Sequence, residues 1–538
     1  MELKFFNSLT RQIEPFHTLK PHQVGMYTCG PTVYNFAHIG NFRAYLFEDI
    51  LRRALEFAGY EVRQVMNLTD VDDKTIRGSQ AAGKPLTKYT KPYIQAFFKD
   101  LKTLNVEPAE VYPAATKHIG DMQKLIQALF DKGIAYKSED GSVYFSVDKF
   151  ADYGKLAHLD RSALRSGVRL NADEYDKEGF GDFALWKAWD EKDGDVVWDA
   201  PWGRGRPGWH LECSAMSMRY LGESFDLHTG GIDNLFPHHE NEIAQAEAVT
   251  GKPFVHTWMH CAHLRVNGQK MSKSLGNFFT LRDLLEKGYT GREIRYVLLS
   301  GHYRQPLNFT FDALSAARTA LARVDECVDA LTALSKMKAP ADNGVRVEST
   351  LEAFNAAICD DLNMPEALAA FFNFIRNVNT AINQGLTPRG AQAALGTIGR
   401  YDAVLGLVYF GRHRSPRVPK EIRELVEARA AARAEKNWAE SDRLRDLMLE
   451  MGWQVRDSKF GQTLKCIREI RRRRSKKAAK VKKPKGKRGR PRMTLAQKKA
   501  AKKAREAARA EALAQGLPLP KRLGRPPKAR PAEQTTEQ

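Results

Sequence analysis

The spacing of hydrophobic positions changes repeatedly along the chain, and each change marks an element. Val24 to Thr28 is a short apolar run that reads as a buried strand. Gly30-Pro31 breaks it, and from His38 onward Ile39, Phe42, Leu46, Phe47 and Ile50 recur at helical spacing. Val62 to Met66 and Phe225 to Thr229 read as further strands, so residues 1–125 and 206–250 share one alternating strand and helix pattern. Residues 126–205 interrupt it. They are richer in Gly, Asp and aromatic residues, with a short strand at Ser142–Val147, and Trp186, Trp189, Trp198 and Trp202 are expected to pack a small core there. Past residue 310 the period is helical: Leu314, Ala317, Leu321, Val324, Val328 and Leu331 step by three and four. A polar linker spans Ser335–Glu348. Helix resumes near Leu351 and restarts at Asp360–Pro365 with a proline suited to a first turn. Residues 418–465 give a helix pair carrying Leu444, Leu447, Met448 and Met451, ended by Gly452, then a short strand pair around Val455 and Thr463.

Composition adds one large asymmetry. The 538 residues carry a net charge of +21. From Ile467 to Gln538 there are 26 Lys/Arg against 5 Asp/Glu, which leaves 59 residues of each sign before that point. The whole excess therefore lies in a tail with few apolar residues, expected to be disordered by itself. Arg488-Gly489-Arg490-Pro491 and Leu523-Gly524-Arg525-Pro526 within it resemble minor-groove hooks, and nonspecific affinity for RNA or DNA fits as well. Hydrophobic content of 43% allows a sizeable core in three or four domains. No apolar run approaches the roughly 20 residues of a membrane span, and Met1–Lys20 does not resemble a signal peptide. The six cysteines show no disulfide-framework spacing. A cytoplasmic, membrane-free protein is expected.

Candidate chemistry concentrates where strands end. At residues 28–41 a strand feeds a helix through a Gly/Pro turn, which aims backbone N–H groups and the positive helix end at one point, a place for phosphate. Cys29 adds a soft ligand and His38 a polarisable donor. The window also fits a buried cysteine beside an unrelated histidine. Asn67–Lys74 is a polar cluster past a strand's carboxyl end, either a ligand loop or a solvated one. His238 and Glu242 are four apart on one helical face, as a metal pair or a surface hydrogen bond. Lys270 and Lys273, with Ser272 and Ser274 in a Gly-flanked loop, can reach over a polyphosphate, or form an exposed basic turn. His260-Cys261-Ala262-His263 reads as a strand with a core cysteine, since no fourth ligand is evident.

In order, His38-Ile39-Gly40-Asn41 and Lys270-Met271-Ser272-Lys273-Ser274 resemble the two signatures of class I aminoacyl-tRNA synthetases. Thr28–Gly40, Asn67–Lys74, Gly208–Met216, Phe236–Gln245, Lys270–Asn277, Ser300–Arg304 and Asp360–Leu368 are similar to the cysteinyl-tRNA synthetase family over about residues 1–465. The resemblance implies an α/β, Rossmann-type catalytic domain in halves at 1–125 and 206–264, split by a connective insertion at 126–205. It implies a stem-contact region with the lysine loop at 265–310, a helical anticodon-stem bundle at 311–415 and a small mixed α/β anticodon domain at 416–466, followed by the basic tail at 467–538. It further implies one zinc ion held by Cys29, Cys213, His238 and Glu242, a cysteine pocket shaped by Thr69, Trp209 and Asp233, and catalysis by His38, Lys270 and Lys273. ATP, with Mg2+, would meet His38, Gly40, Asn41, Lys270 and Lys273. Two departures stand out. Asn41 replaces the signature's last histidine, and Gly461-Gln462-Thr463-Leu464 replaces a usual Gly-x-x-Trp.

The implied reaction is activation of L-cysteine by ATP, then transfer to the terminal adenosine of tRNA(Cys), at its 2′-hydroxyl in class I enzymes. Apolar pockets separate near-isosteric cysteine and serine by only about 1–3 kcal/mol. A zinc ion favours a soft thiolate over a hydroxyl. Two rivals fit parts of the chain: a zinc-dependent cysteine ligase acting on an aminosugar, and a nucleic-acid-binding protein with an inactive synthetase core. A small-molecule acceptor gives no reason for residues 311–465.

Overall fold

Strand Phe225–Gly231 is buried at six of its seven positions, as a strand must be when helices cover both faces of a parallel sheet. The computed structural model describes residues 1–159, 181–272, 275–337, 345, 351–411, 419–458 and 461–466. In it four parallel strands pair in the order Val255–Cys261, Phe225–Gly231, Gln23–Thr28, Glu61–Met66. Alternation along Gln23–Thr28 sends successive side chains to opposite faces. Val24 and Met26 join one core with the helix Ile39–Phe57. Tyr27 joins the other with residues of the helices Ile119–Asp131, Trp209–Leu221 and Glu240–Thr250. The carboxyl ends Thr28, Met66, Gly231 and Cys261 lie along one edge, where open α/β sheets hold ligands.

The helix Ile39–Phe57 begins where the sequence predicts, through a reciprocal cap. The His38 side chain accepts from the Asn41 N–H at 3.2 Å, and the Asn41 carboxamide oxygen accepts from the His38 N–H at 3.1 Å. Asn41 thus serves helix initiation through its oxygen. Further along, Arg43 donates to the carbonyls of Ala262 and His302 at 2.9 and 3.1 Å, tying the helix to the segments after the last sheet strand.

The inserted region forms an antiparallel four-stranded sheet from Ala135–Lys137, Val143–Phe145, Phe183–Ala188 and Gly205–Pro207. Its tryptophans divide. Trp186 and Trp202 are buried and meet edge to face at 5.9 Å, while Trp198 is partly buried. Trp189 does not join them. It is 41% exposed, its indole donates to the Gly194 carbonyl and Arg204 lies over its ring, so the reach of that polar loop outweighs burial.

The helical positions Leu314, Ala317, Leu321, Val324, Val328 and Leu331 are all buried on Phe311–Leu334, which packs with Met364–Gln384 and Pro388–Leu405, while Glu352–Cys359 packs on Met364–Gln384. Pro365 occupies the first turn of Met364–Gln384. A second compact unit contains, among the described residues, 419–455 and 464–466. Its helices Lys420–Ala434 and Trp438–Glu450 bury Ile422, Leu444 and Met448, with Trp453 and Val455 in the same small core. Strands Trp453–Ser458 and Gly461–Cys466 pair, as the sequence predicts. No helix among the described residues is long and apolar enough to cross a membrane. Lys273, most of the 335–348 linker and the tail 467–538 lie outside the described residues.

Candidate active site and metal centre

The turn after strand Gln23–Thr28 is fixed from below. The Gly30 N–H donates to the Asn67 side chain at 2.7 Å, and a Cβ at Gly30 would lie 1.7 Å from the Asn67 carbonyl oxygen. Only glycine allows that approach. Asn67 also donates to the Thr69 hydroxyl at 3.1 Å, so one residue positions both the Cys29 turn and Thr69.

Above this turn several ligand-type atoms converge. Cys29 Sγ, one ring nitrogen each of His238 and His239, and a Glu242 oxygen all lie within 4.8 Å of one another. Cys29 Sγ is 3.2 Å from His239 Nε2. Glu242 Oε1 is 3.1 Å from His238 Nε2 yet has no hydrogen-bond partner. The Cys213 thiol, on the helix Trp209–Leu221, is buried and hydrogen-bonded to Cys29. Of the four residues implied as ligands, three fall in the tightest group, the fourth touches it, and His239 enters it as well.

Sequence reasoning missed the surrounding histidines. His210 Nδ1 meets His238 Nδ1 at 2.9 Å, and His228 Nε2 meets Glu242 Oε2 at 2.9 Å. His239 Nδ1 meets His260 Nε2 at 2.9 Å, and His260 Nδ1 meets the Ser8 hydroxyl at 2.7 Å. The Pro237-His238-His239 and His260-Cys261 pairs were the available signals. His260 points into this network although Cys261, beside it, is a core residue as expected. Burial pushes His210, His228 and His260 down to about 3 and His238 and His239 well below the usual histidine range. Burial likewise raises the Glu242 carboxyl. The hydrogen bond to Cys213, then burial, raises the Cys29 thiol. Neutral imidazoles, two adjacent thiols and a buried carboxyl oxygen without a proton donor suit a shared soft divalent cation.

Beside this group a cavity of about 260 Å³ is lined by Cys29, His38, Gly40, Asn41, Asp233 and Lys270, among others. Lys270 ends the short strand Gln269–Lys270, and its loop is pinned by Asn277. That side chain donates to the Lys270 carbonyl at 3.0 Å and accepts from the Ser272 N–H at 2.7 Å. Trp209 stacks on His238 at 4.1 Å and lines a separate cavity of about 600 Å³. Thr69 is buried and lines neither. The structure therefore gathers the metal-type residues and, of the phosphate-type ones, His38, Gly40, Asn41 and Lys270, with Lys273 outside the described residues, but spreads the three implied cysteine-pocket residues around the metal group.

A parallel sheet with this strand order, a capped helix after its Gln23–Thr28 strand and Lys270 in the cavity beside that helix start are the arrangement of a class I aminoacyl-tRNA synthetase. The family model for the class I (C) catalytic domain of tRNA synthetases matches residues 15–319, the DALR domain matches 353–409, and the cysteinyl-tRNA ligase anticodon binding domain matches 415–464. The cysteine–tRNA ligase of Protochlamydia amoebophila is 49% identical over 468 residues, covering 86% of this chain and 98% of that protein. That of Chlamydia muridarum is 50% identical over 485 residues, covering 87% and 100%. Among solved structures, the Agrobacterium radiobacter LeuRS–tRNA complex superposes with a TM-score of 0.53 at 12% identity, covering 73% of this chain and 85% of that one. Mycobacterium tuberculosis methionyl-tRNA synthetase gives 0.51 at 15%, covering 72% and 90%, and so shares the fold. The chain belongs to the cysteine–tRNA ligase family. Its reaction joins cysteine to tRNA with ATP, and the matched anticodon domain sets aside the aminosugar ligase reading.

Proposed function

We propose that cysteine is selected through one zinc ion per chain held by Cys29, Cys213, His238 and Glu242. The observation that carries this reading is the convergence of thiol, imidazole and unsatisfied carboxylate oxygen beside the nucleotide cavity. The bound ion would supply a soft Lewis acid that prefers substrate sulfur as thiolate to a serine hydroxyl. Thr69, Trp209 and Asp233 shape the rest of the cysteine site. Trp209 does so by stacking on His238, and Asp233 from the turn that follows Gly231.

His38, Gly40, Asn41, Lys270 and Lys273 hold ATP, which enters with Mg2+. The substrate carboxylate attacks the α-phosphorus in line, a C(O)–O–P bond forms, and pyrophosphate leaves with the electrons of the broken P–O bond. No enzyme nucleophile is needed. His38, the start of its helix and the two lysines stabilise charge on the phosphoryl oxygens. The 2′-hydroxyl of the terminal adenosine then attacks the carbonyl carbon and AMP leaves. Residues 265–310 contact the tRNA stem end, 311–415 its anticodon stem and 416–466 its anticodon. The unpaired cysteines fit a reducing cytoplasm. ATP–pyrophosphate exchange with cysteine and with serine, before and after zinc removal, tests the reading. Exchange is expected with cysteine alone, and the preference is expected to fall when zinc is removed. Purified protein that lacks stoichiometric zinc and still rejects serine would overturn it.

The tail 467–538 serves as a nonspecific polyanion arm. Deleting it leaves adenylate formation intact, weakens tRNA binding and flattens the dependence of affinity on salt, because fewer counterions are released. The slope of log affinity against log salt measures this. An unchanged slope assigns the tail to another partner.

A further inference from the structure

Several buried polar atoms at and around the metal-type cluster lack a hydrogen-bond partner, among them Glu242 Oε1, which the bound ion would take, and the Tyr27 hydroxyl. His238 meets His210, Glu242 meets His228, and His239 meets His260. The Tyr27 hydroxyl is fully buried and makes no hydrogen bond of ordinary geometry. The helix that carries Cys213 packs on the strand that carries Tyr27, and Cys213, ahead of Cys29 and Glu242, is the group beside the Tyr27 hydroxyl in this buried cluster.

The placement follows from the sheet. Tyr27 stands two positions before Cys29, so both project to the same face. Across the ladder Tyr27 pairs with His228, and the two rings meet at 5.1 Å. Neighbouring strands thus set two supporting groups side by side, His228 for Glu242 and Tyr27 for Cys213. A buried hydroxyl without a partner carries the full cost of its lost hydration. A thiol is a weak acceptor, whereas a thiolate accepts a charge-assisted bond. A phenol aimed at sulfur is therefore suited to the ligated state of that cysteine. If Tyr27 only filled the core against Phe225, phenylalanine would serve equally and no oxygen would be stranded there.

We propose that Tyr27 donates a hydrogen bond to the Cys213 thiolate when the metal is bound, as a positioning residue that tunes this ligand. The proposal rests on the metal reading above. The bond draws electron density from the sulfur, leaves the ion more acidic toward an incoming substrate sulfur, and fixes the Cys213 side chain.

The test uses the full-length chain loaded with cobalt(II), whose thiolate charge-transfer absorption reports on sulfur. In Tyr27→Phe that band should move to lower energy with one metal ion still bound per chain. Metal affinity from chelator competition should fall about 10- to 100-fold, the usual cost of losing such a support. Uniform 3-fluorotyrosine, a stronger donor, should move the band to higher energy, and it carries the test if the phenylalanine variant does not fold. A metal-loaded Tyr27→Phe chain with unchanged band and unchanged affinity overturns the proposal, as does an unmoved band with fluorotyrosine. A wild-type chain with no cobalt–thiolate band instead fails the metal reading, so the two failures are distinct.

Discussion

Replacing Cys213 by serine is expected to remove the metal and the preference for cysteine together. Cys213 is buried, so solvent has little access to take the place of a lost ligand. A serine hydroxyl is harder and stays protonated where a thiol would ionise on a soft cation. Without that cation, discrimination between cysteine and serine should drop to the roughly 10- to 200-fold that pocket shape alone provides. Exchange rates with the two amino acids, read beside metal content by mass spectrometry, measure both effects on one preparation. The structure also offers a competing donor set, Cys29, His238, His239 and Glu242. That set makes the opposite prediction: Cys213→Ser keeps a full complement of metal and His239→Gln loses it. In the set with Cys213, His239 instead supports Cys29 from outside, and its replacement weakens binding without abolishing it. The two variants together therefore identify the fourth ligand, and full retention of metal in Cys213→Ser would remove it from the role proposed above.

Much of this site was legible because its chemistry is carried by short strings at strand ends. Gly30-Pro31 had to end a strand, His38 had to start a helix, and His238 and Glu242 had to share a face whatever the rest of the chain did. The charge split before residue 467 was likewise a property of sequence alone. What could not be read was convergence over long separations. His210, His228 and His260 sit on three different elements, and each looks like an ordinary core or strand residue until the sheet brings them within hydrogen-bond distance of the cluster. Tyr27 is similar: its ring obeys strand burial, and only the position of Cys213 on a helix 186 residues later gives its hydroxyl a meaning. Trp189 failed for the opposite reason. Aromatic content suggested core, but its neighbours Asp190, Glu191 and Lys192 are the exposed part of a capped turn, closed by the buried Asp193, that carries it outward. Asn41 shows a third case. Read as a phosphate donor, it places its oxygen on the His38 N–H, so the duty of that oxygen is the helix start, and the amide nitrogen is the part of this cavity-lining side chain that can donate to phosphate.

That arrangement sets up the second large effect, because His38 has two separable duties. Its Nδ1 accepts the Asn41 N–H, which places the ring proton on Nε2 in the neutral imidazole and makes Nε2 the ring's donor, on a residue that lines the cavity. His38→Asn keeps the first duty, since asparagine is among the best residues at a helix start, and it removes the second. His38→Ala removes both. Adenylate formation is expected to fall about 10²- to 10³-fold in either variant, the usual cost of losing one donor to developing charge. Cysteine affinity should hold in both, because His38 is not among the residues proposed to hold the metal or to shape the cysteine site. Stability separates them: alanine should lower it by about 1 kcal/mol through the lost cap, while asparagine leaves it unchanged or raised. Single-turnover adenylation and denaturant midpoints, measured on the same two variants, check the division. If His38→Asn activated cysteine at the wild-type rate, phosphate stabilisation would have to come from the lysines and the helix start alone. His38 would then be a capping residue whose place in the signature reflects how the helix begins.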